Sequence, residues 1–526
     1  MSRKSAFLAA AIMLLCSASA LMGADFVIVN NDAAGEGLND PTAVTPVGGN
    51  SGTTLGQQRL IVLQMAADVW GEILQSDIQI LVGANFDTLP GNATSAVLGS
   101  AGAAGNVAGG ALPRSNTWYP YALASSLLGY DVNTNNVDIN ARFNSAVDGD
   151  DILGTVHWYY GLDGNRGSDI DLFTTVLHEL AHGLGFQTLV DLETGTKPNN
   201  YDDCFMVHLE DHSRGETWPE MDNIQRAASA TDTDDLHWVG TVVSPLYYLY
   251  SDGIGAGNHF EMYAPDPLQQ GSSVAHWDKD LTPDELMEPS YTGFKDNPGL
   301  TVELMQDLGW QLNAKLSIRL FLEGAWDSDN GNMRTDLYQG ADLPLTSPYD
   351  EDPLSVTSIP DSVVDWVLVE LRSTAEGAAV AQNSAFISRN GYITESGEEG
   401  GVILNVDNDD YYVVVRHRNH VDVMSATTTA LAAGSTASWD FSSAATQFYG
   451  VAGGKNLQGD VWGMAVGDIN SDGYVTSMDY SRWYNADHLN LNGYSDSDCN
   501  LDGSVDTADY LLWQSNAATN AQSRLP

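Results

Sequence analysis

The chain has 526 residues, of which 43% are hydrophobic, and its formal net charge is −49 at pH 7. This length predicts about three or four domains, each large enough to bury a core. The strong negative charge excludes nucleic acid and anionic membrane surfaces as partners, because both would repel the chain. Two interpretations of the acidity stay open: some carboxylates bind calcium, or they keep a secreted protein soluble.

Residues 1–24 have the layout of a secretory signal peptide. A basic start at Ser2-Arg3-Lys4 precedes an apolar stretch at residues 6–15 and the small-residue cleavage site Ala18-Ser19-Ala20. We therefore expect a secreted protein, extracellular or associated with the cell surface. No later apolar run reaches the roughly 18 residues of a transmembrane helix, so no membrane span is expected after the signal.

The stretch up to residue 143 predicts strands around one long helix. Residues 26–29 and 78–82 are short apolar runs typical of strands, and residues 137–143 alternate between apolar and polar. Apolar residues recur with helical spacing over 59–74. Residues 91–113 are rich in glycine and alanine, which predicts a surface loop. The order of these elements predicts an α+β unit whose sheet supports the helix that follows.

The run His178-Glu179-Leu180-Ala181-His182 is the strongest functional signal in the chain. On a helix, its two histidines lie four residues apart on one face and can hold one zinc ion. Glu179 can reach a water molecule on that ion without being a ligand, and can act as its general base. The flanking apolar residues predict a buried helix, and Ser168 with Asp171 resembles the capping box that would start it.

The third ligand of such a site does not follow the helix directly. In the common pattern H-E-x-x-H-x-x-G-x-x-H the last position is a histidine, but here it is Thr188, a poor zinc ligand. His276 stands out among the remaining histidines because Trp277 follows it and an E-L-M-E-P run comes soon after. A carboxylate from Glu285 or Glu288 is the alternative, as in sites with two histidines and one glutamate.

Four motifs together resemble the leishmanolysin family of metzincin zinc proteases. They are H-E-x-x-H-x-x-G-F at 178–186, A-H-W at 275–277, E-L-M-x-P at 285–289 and D-L-G-W at 307–310. The resemblance implies an α+β metzincin-like protease domain over residues 25–312, with a long insertion before the third histidine. It implies His276 as the third zinc ligand, Met287 as a hydrophobic floor beneath the ligands, and Gly185 as the residue that permits a sharp turn after the helix.

Residues 313–455 change to strand periodicity. Apolar and polar residues alternate over 316–323, apolar runs at 364–371 and 411–416 follow, and Asn390-Gly391 predicts a hairpin turn. These features predict an all-β sandwich that serves as an accessory domain. His417 and His420 are interpreted as a polar strand end or loop rather than as metal ligands.

Residues 456–526 contain two copies of a calcium-loop pattern. Oxygen atoms at loop positions one, three and five surround the ion, a glycine at six makes the turn, and a carboxylate at twelve completes the shell. The predicted ligands are Asp468, Asn470, Asp472, Tyr474, Thr476 and Asp479 for the first ion, and Asp498, Asn500, Asp502, Ser504, Asp506 and Asp509 for the second. The repeat resembles type I dockerins, small helical modules that attach secreted enzymes to a cohesin. The resemblance implies a cohesin-like or cell-surface partner, and a calcium-stabilised tail without a partner is the alternative.

The sequence therefore predicts a multidomain secreted zinc endopeptidase that acts on protein or peptide substrates, with zinc and calcium as cofactors. The alternative is a secreted adhesin or surface-binding protein that uses the sandwich and the tail, and whose protease domain is catalytically vestigial. The alternative is disfavoured because Glu179, both helix histidines and a candidate third histidine are all present.

Overall fold

In a computed structural model of the chain, residues 24–526 are described, except residues 135, 357, 395–400, 405, 451 and 452. Apart from Ala24, the predicted signal peptide at residues 1–24 lies outside the described residues. Among the helices of the described part, none combines the length and the apolar character needed to cross a membrane.

The first unit of the fold runs to the end of the helix that carries the H-E-x-x-H motif. Its helices are α1 (Leu55–Ile73), α2 (Tyr121–Leu128) and α3 (Leu172–Leu184). Its strands are β1 (Phe26–Asn30), β2 (Ile80–Asp87), β3 (Gly99–Ala103), β4 (Asn106–Ala108), β5 (Thr117–Pro120), β6 (Ile139–Asn144), β7 (Trp158–Tyr159) and β8 (Ile170–Asp171).

A four-stranded sheet with the order β1-β2-β6-β3 supports α1 and α3. Strands β1, β2 and β6 are parallel, and β3 runs antiparallel to β6 at one edge. The indole of Trp70 on α1 donates to the carbonyl of Leu177 on α3 at 3.0 Å. Gly183 lets α3 approach the sheet, because a Cβ there would lie 2.4 Å from a methyl carbon of Ile139. The sheet thus holds α3 at a fixed depth.

The prediction of a surface loop over residues 91–113 is wrong, because this stretch contains β3 and β4. Glycine and alanine have low strand propensity, so the local sequence does not predict a strand. The tertiary context explains the strand. β3 pairs with β6 and packs against α3, and a Cβ on Gly99 would lie only 2.8 Å from the side chain of Glu179.

The second unit, residues 185–312, shares one hydrophobic core with the first. It contains α4 (Asn223–Ser229), α5 (Thr301–Leu308) and the short strands β9 (Asp202–Asp203), β10 (Leu209–Asp211), β11 (Glu216–Thr217), β12 (Leu236–Trp238) and β13 (Phe260–Glu261). An antiparallel sheet has the order β11-β10-β12-β13. After α5, the indole of Trp310 donates to the carbonyl of Leu184 at 3.1 Å, which ties the end of this unit to the end of α3.

The third unit is rich in β-structure and has its own core. It contains β14 (Ala314–Arg319), β15 (Trp326–Asp327), β16 (Asn332–Met333), α6 (Asp336–Gly340), β17 (Val363–Arg372), β18 (Ala381–Ser388), β19 (Tyr392–Thr394), β20 (Val402–Leu404), β21 (Asp409–His417), β22 (His420–Met424), β23 (Thr429–Leu431) and β24 (Thr436–Asp440). The central order is β20-β14-β19-β18-β17-β21-β22, while β23 pairs with β21 and β24 with β14. Met464 and Leu501 also enter this core, so the packing extends beyond residue 455.

The last unit begins with the hairpin β25 (Lys455–Gln458) and β26 (Val461–Gly463) and ends with the helices α7 (Ser477–His488) and α8 (Thr507–Ala518). Each helix follows one of the two acidic loops. The indoles of Trp483 and Trp513 donate to the carbonyls of Asp506 and Thr476, each at 3.0 Å. Each helix is thus bonded to the start of the other, as expected of two copies of one motif.

Candidate metal centre and substrate cleft

Helix α3 begins at Asp171, which presents its side chain as the N-cap. The Asp171 carboxylate accepts from the backbone N–H of Thr174 at 2.6 Å. The cap is therefore Asp171 alone, and not the predicted pair of Ser168 and Asp171. All residues of the helix except His178 are buried, so the helix is fixed by packing on nearly every side.

The structure brings His178, His182 and His276 together. The Nε2 atoms of His178 and His276 are 3.2 Å apart, and one ligand nitrogen from each of the three residues lies within 4.8 Å of the other two. The ring centroids are separated by 4.9 to 5.2 Å. Two nitrogens bound to one tetrahedral zinc at ~2.05 Å would be about 3.3 Å apart, so the His178–His276 separation fits a shared ion.

Backbone carbonyls set the orientation of all three rings. The Nδ1 atoms of His178, His182 and His276 lie 2.8 Å from the carbonyls of Leu286, Phe186 and Ser272, respectively. A carbonyl only accepts, so each Nδ1 carries the proton and each Nε2 keeps its lone pair. This arrangement prepares three neutral donors before any metal ion binds.

Burial favours the neutral form of each ring. It lowers the pKa of His178, lowers that of His182 to about 3 with help from His178, and lowers that of His276 well below the usual value. Three adjacent cations would repel one another in this site. The imidazoles are therefore ready to act as ligands and need not release a proton first.

The side chain of Glu179, on α3, faces the edge strand β3. The backbone N–H of Ala101 donates to its carboxylate, while a Cβ on Gly99 would lie 2.8 Å from its Cγ. Burial raises the pKa of Glu179 to about 8, and the bond from Ala101 opposes this shift. The missing side chain at Gly99 creates the space in which this carboxylate sits. Sequence inspection missed this role because it placed Gly99 and Ala101 in a loop.

The turn after α3 depends on Gly185, whose φ is +130°. Its N–H donates to the carbonyls of Ala181 and His182, and the chain then turns so that the carbonyl of Phe186 meets His182. Thr188 follows, and its hydroxyl donates to Asp203 at 2.8 Å. Thr188 thus stabilises the turn and is not one of the three converging ligands, in agreement with the sequence.

The segment around Met287 closes the other side of the site. Met287 is fully buried, and its carbonyl accepts from the N–H of Trp277 at 2.9 Å. Glu285 accepts from Tyr250 and from the N–H of Leu300. These bonds explain why Glu285 is not the third ligand.

Glu288, the other carboxylate candidate, also forms a hydrogen bond away from the histidines. Its Oε1 accepts from the backbone N–H of Glu285 at 2.8 Å. Of the candidates considered from sequence, only His276 joins the two helix histidines.

Val274 has an unexpected conformation just before His276. It is fully buried with φ +72°, a rare and strained conformation for a β-branched residue. Its N–H donates to the carbonyl of Tyr263 at 2.7 Å, and the N–H of Tyr263 donates to the carbonyl of His276 at 2.9 Å. Two backbone bonds thus hold the strained turn that aims His276 at α3.

The three histidines and Glu179 open into a cleft of about 830 Å³. Its lining includes residues 94–101, which contain the start of β3, together with residues 270–273, 275–276, 285–286 and 288–293.

Hydrogen bonds from backbone N–H groups to two buried carboxylates order the first acidic loop of the tail. Asp468 accepts from the backbone N–H of Asp472 and Gly473, and Asp479 accepts from those of Asn470 and Thr476, at 2.7 to 3.0 Å. The N–H of Tyr474 donates to Asp472, so this residue contributes to the turn. The side chain of Thr476 caps α7.

The second loop repeats these bonds. Asp498 accepts from Asp502 and Gly503, and Asp509 accepts from Asn500 and Asp506, at 2.8 to 3.2 Å. The N–H of Ser504 donates to Asp502, and the carboxylate of Asp506 caps α8. Burial raises the pKa of Asp498 to about 7 and that of Asp509 to about 6. A bound cation would favour the ionised form of these buried carboxylates.

The turn between β21 and β22 contacts both acidic loops. Asn419 donates to the carbonyl of Asp498 at 2.7 Å and accepts from the N–H of Gly467 at 2.9 Å, while Arg418 donates to the carbonyl of Ser495. The third unit and the tail are therefore joined at the loops by two side-chain-to-backbone hydrogen bonds and one backbone–backbone hydrogen bond.

His417 and His420 lie on either side of this turn and are buried in its polar network. Arg418 and His417 approach the carboxylate of Asp365 at 3.0 and 3.2 Å, and Tyr494 donates to it at 2.7 Å. His420 lies 2.9 Å from His417. These histidines serve a buried polar contact between two units, and the sequence alone did not indicate that they are buried.

No family model and no curated protein matches the chain. Among solved structures, the chain is similar to two mutants of a type II cohesin–X-dockerin complex from Acetivibrio cellulolyticus, one altered at the N-terminal and one at the C-terminal interface. Both are 15% identical to this chain. The first covers 40% of this chain and 96% of its own, with a TM-score of 0.20, and the second covers 38% and 93%, with a TM-score of 0.21. Likeness at this level assigns neither a family nor a partner.

Proposed function

We propose that the protein is a secreted zinc-dependent endopeptidase that hydrolyses peptide bonds in proteins. The observation that carries the proposal is the convergence of His178, His182 and His276, with carbonyl-bonded Nδ1 atoms, beside the buried carboxylate of Glu179. Three neutral imidazoles facing a cleft fit a zinc site that keeps one position open for chemistry. Zinc bound there would polarise the scissile carbonyl and acidify a water molecule.

Glu179 is the residue that moves the proton. A carboxylate oxygen takes a proton from the attacking water and then delivers it to the nitrogen of the leaving amine. The bond from Ala101 and the space above Gly99 hold the carboxylate in one position. A fixed position matters because general base catalysis requires hydrogen-bond distance to the reacting proton.

Strand β3 positions the substrate. It is the edge strand of the sheet β1-β2-β6-β3 in the described part of the chain, and its first residues line the cleft. An extended peptide can therefore add to this edge as a further strand, and its backbone would run past Glu179 and the histidines. This mode of binding recognises the peptide backbone and suits an enzyme that cuts within chains.

The ligand set is tested by replacing His276 in the full chain. We expect His276→Ala to lose the zinc ion of this site and casein hydrolysis together, while the control His157→Ala keeps both, because His157 lies elsewhere on the surface. Zinc content and hydrolysis that are unchanged in His276→Ala would contradict the proposed ligand set. A wild-type protein that binds the ion but cleaves no protein substrate would support the alternative of a vestigial, surface-binding protein.

We also infer that the tail binds two calcium ions and attaches the enzyme to a cohesin-like or cell-surface protein. The oxygen atoms of the two loops suit calcium, which prefers carboxylate and amide oxygens. Large apolar side chains are exposed on and around α7 and α8: Met478 is 65% exposed, Leu489 70% and Leu511 58%. Such side chains favour a protein partner. Binding of the isolated full chain to a cohesin, with and without calcium, tests this attachment.

A further inference from the structure

A second group of histidines lies on the sheet β11-β10-β12-β13. Leu209, Trp238 and Phe260 occupy one face of this sheet and are fully buried. In the strand register, Glu210 pairs with His237, and His237 pairs with Glu261. Side chains alternate along a strand, so these three residues occupy the opposite face.

Two more histidines reach the same face from the strand ends. His212 comes two residues after Glu210, and His259 comes two residues before Glu261. The ring of His237 lies between them, with centroids 5.6 Å from His212 and 6.2 Å from His259. Three of the eleven histidines in the chain thus collect on one small surface.

One ring nitrogen of His237 and one of His259 lack a hydrogen-bond partner in the described structure. His237 is fully buried, and its Nε2 lies 3.1 Å from the carbonyl of Asp234, which fixes the proton on Nε2. Its Nδ1 therefore carries a lone pair, and this buried atom has no hydrogen-bond partner in the described structure. The same holds for the buried Nδ1 of His259. The pattern at His237 repeats that of the three cleft histidines, with one nitrogen bonded to a carbonyl and the other free.

Glu210 places its carboxylate between the outer two rings. Its oxygens lie 3.6 Å from Nδ1 of His259 and 4.0 Å from Nδ1 of His212. These distances are too long for hydrogen bonds but close to the ~3.3 Å expected between two ligands of one zinc ion. Among the described residues, no three ligand atoms of this group lie within 4.8 Å of one another, so the side chains of Glu210 and the exposed His212 must move inward to bind a common ion.

The surroundings are negatively charged. Burial, together with the nearby carboxylates of Asp234, Asp278, Asp252 and Asp280, raises the pKa of Glu261 to about 7. A potential of this sign attracts a cation. Because imidazole nitrogens dominate the donor set, a zinc-like transition-metal ion is favoured over calcium or magnesium.

We propose that Glu210, His212, His237 and His259 bind a second divalent transition-metal ion of the zinc class. The ion links β10, β12 and the start of β13. The chain continues from β13 to Tyr263, which bonds to His276, and the N–H of Asp278 donates to the carbonyl of Glu261 at 2.9 Å. The site therefore acts as a structural clamp on the segment that carries His276.

The test uses the full chain, dialysed against micromolar zinc with millimolar calcium present, and counts zinc by mass spectrometry. We expect two zinc ions per wild-type chain and one in His259→Ala. The triple variant with alanine at His178, His182 and His259 should bind no zinc. The control His157→Ala keeps two ions.

The His178→Ala/His182→Ala variant separates this proposal from the proposed protease site. It should keep one ion, and zinc should raise its melting temperature, whereas the added change His259→Ala or His212→Ala should abolish that rise. We expect zinc affinity to fall at least about 100-fold, because even supporting groups of metal sites contribute 10- to 100-fold. A double variant that binds no zinc, or one whose zinc binding ignores His212 and His259, would overturn the second site and leave the protease site unaffected.

Discussion

Replacing Gly99 with alanine probes the contact between β3 and the general base. The added Cβ would lie 2.8 Å from Cγ and 2.9 Å from Oε1 of Glu179, whereas ordinary contacts are 3.4 to 4 Å. The carboxylate must therefore move by roughly 0.6 to 1 Å, and a misplacement of about 1 Å can cost on the order of 100-fold in rate. We expect kcat/KM to fall by about 100-fold, which corresponds to about 2.7 kcal/mol of activation free energy.

The assay follows cleavage of an unfolded protein substrate by the full chain, with zinc content and circular dichroism measured on the same samples. Zinc binding should persist in Gly99→Ala, because the three histidines lie on other elements. The control is Gly149→Ala, whose added Cβ would have its nearest neighbour at 3.6 Å and should leave the rate unchanged. Wild-type kcat/KM in Gly99→Ala would refute the fixed position of Glu179 against β3.

Three further predictions follow from other contacts. Thr188→Val should lower the free energy of unfolding by about 1 kcal/mol, because it removes the hydrogen bond to Asp203, but should leave zinc binding unchanged. Loss of zinc from this variant would indicate that Thr188 is a ligand. Arg418→Met should destabilise the third unit and the tail by about 3–5 kcal/mol, because it leaves the buried carboxylate of Asp365 without the guanidinium that pairs with it. Urea unfolding measures this loss, and a change below about 1 kcal/mol would contradict the prediction. Burial alone would raise the pKa of Asp365, but Arg418 and His417 lower it to about 2. A carboxyl whose pKa is lower in the folded than in the unfolded state stabilises the fold at a pH above its unfolded pKa, and this stabilisation is lost as the pH falls through its folded pKa. The difference in unfolding free energy between wild type and Asp365→Asn should therefore shrink by about 2 kcal/mol from pH 4 to pH 2.

The sequence predicted the candidate metal ligands better than the structural elements that hold them in place. Spacing alone placed His178 and His182 on one helical face, because the helical repeat decides which residues are neighbours. His276 comes from a distant loop, and only its resemblance to a known motif singled it out. The strand β3 could not be predicted, since its glycines are required by the approach of α3 and not by the backbone of the strand itself.

The second histidine group was also invisible to inspection of the sequence. Strands β10, β12 and β13 have only two or three residues each, too few for an alternating pattern to be recognised. Glu210, His237 and Glu261 become neighbours only through pairing between strands that are far apart in the chain. Similarly, nothing local to His417 indicates the carboxylate of Asp365 that faces it across the sheet.

We propose Glu179 as the general base of a zinc peptidase. Its most direct test is hydrolysis of casein by the full-length Glu179→Gln variant, with the zinc content measured on the same sample. We expect wild-type zinc content and a rate lower by about 100- to 10 000-fold, the usual contribution of a general base. Hydrolysis at the wild-type rate with zinc still bound would contradict it.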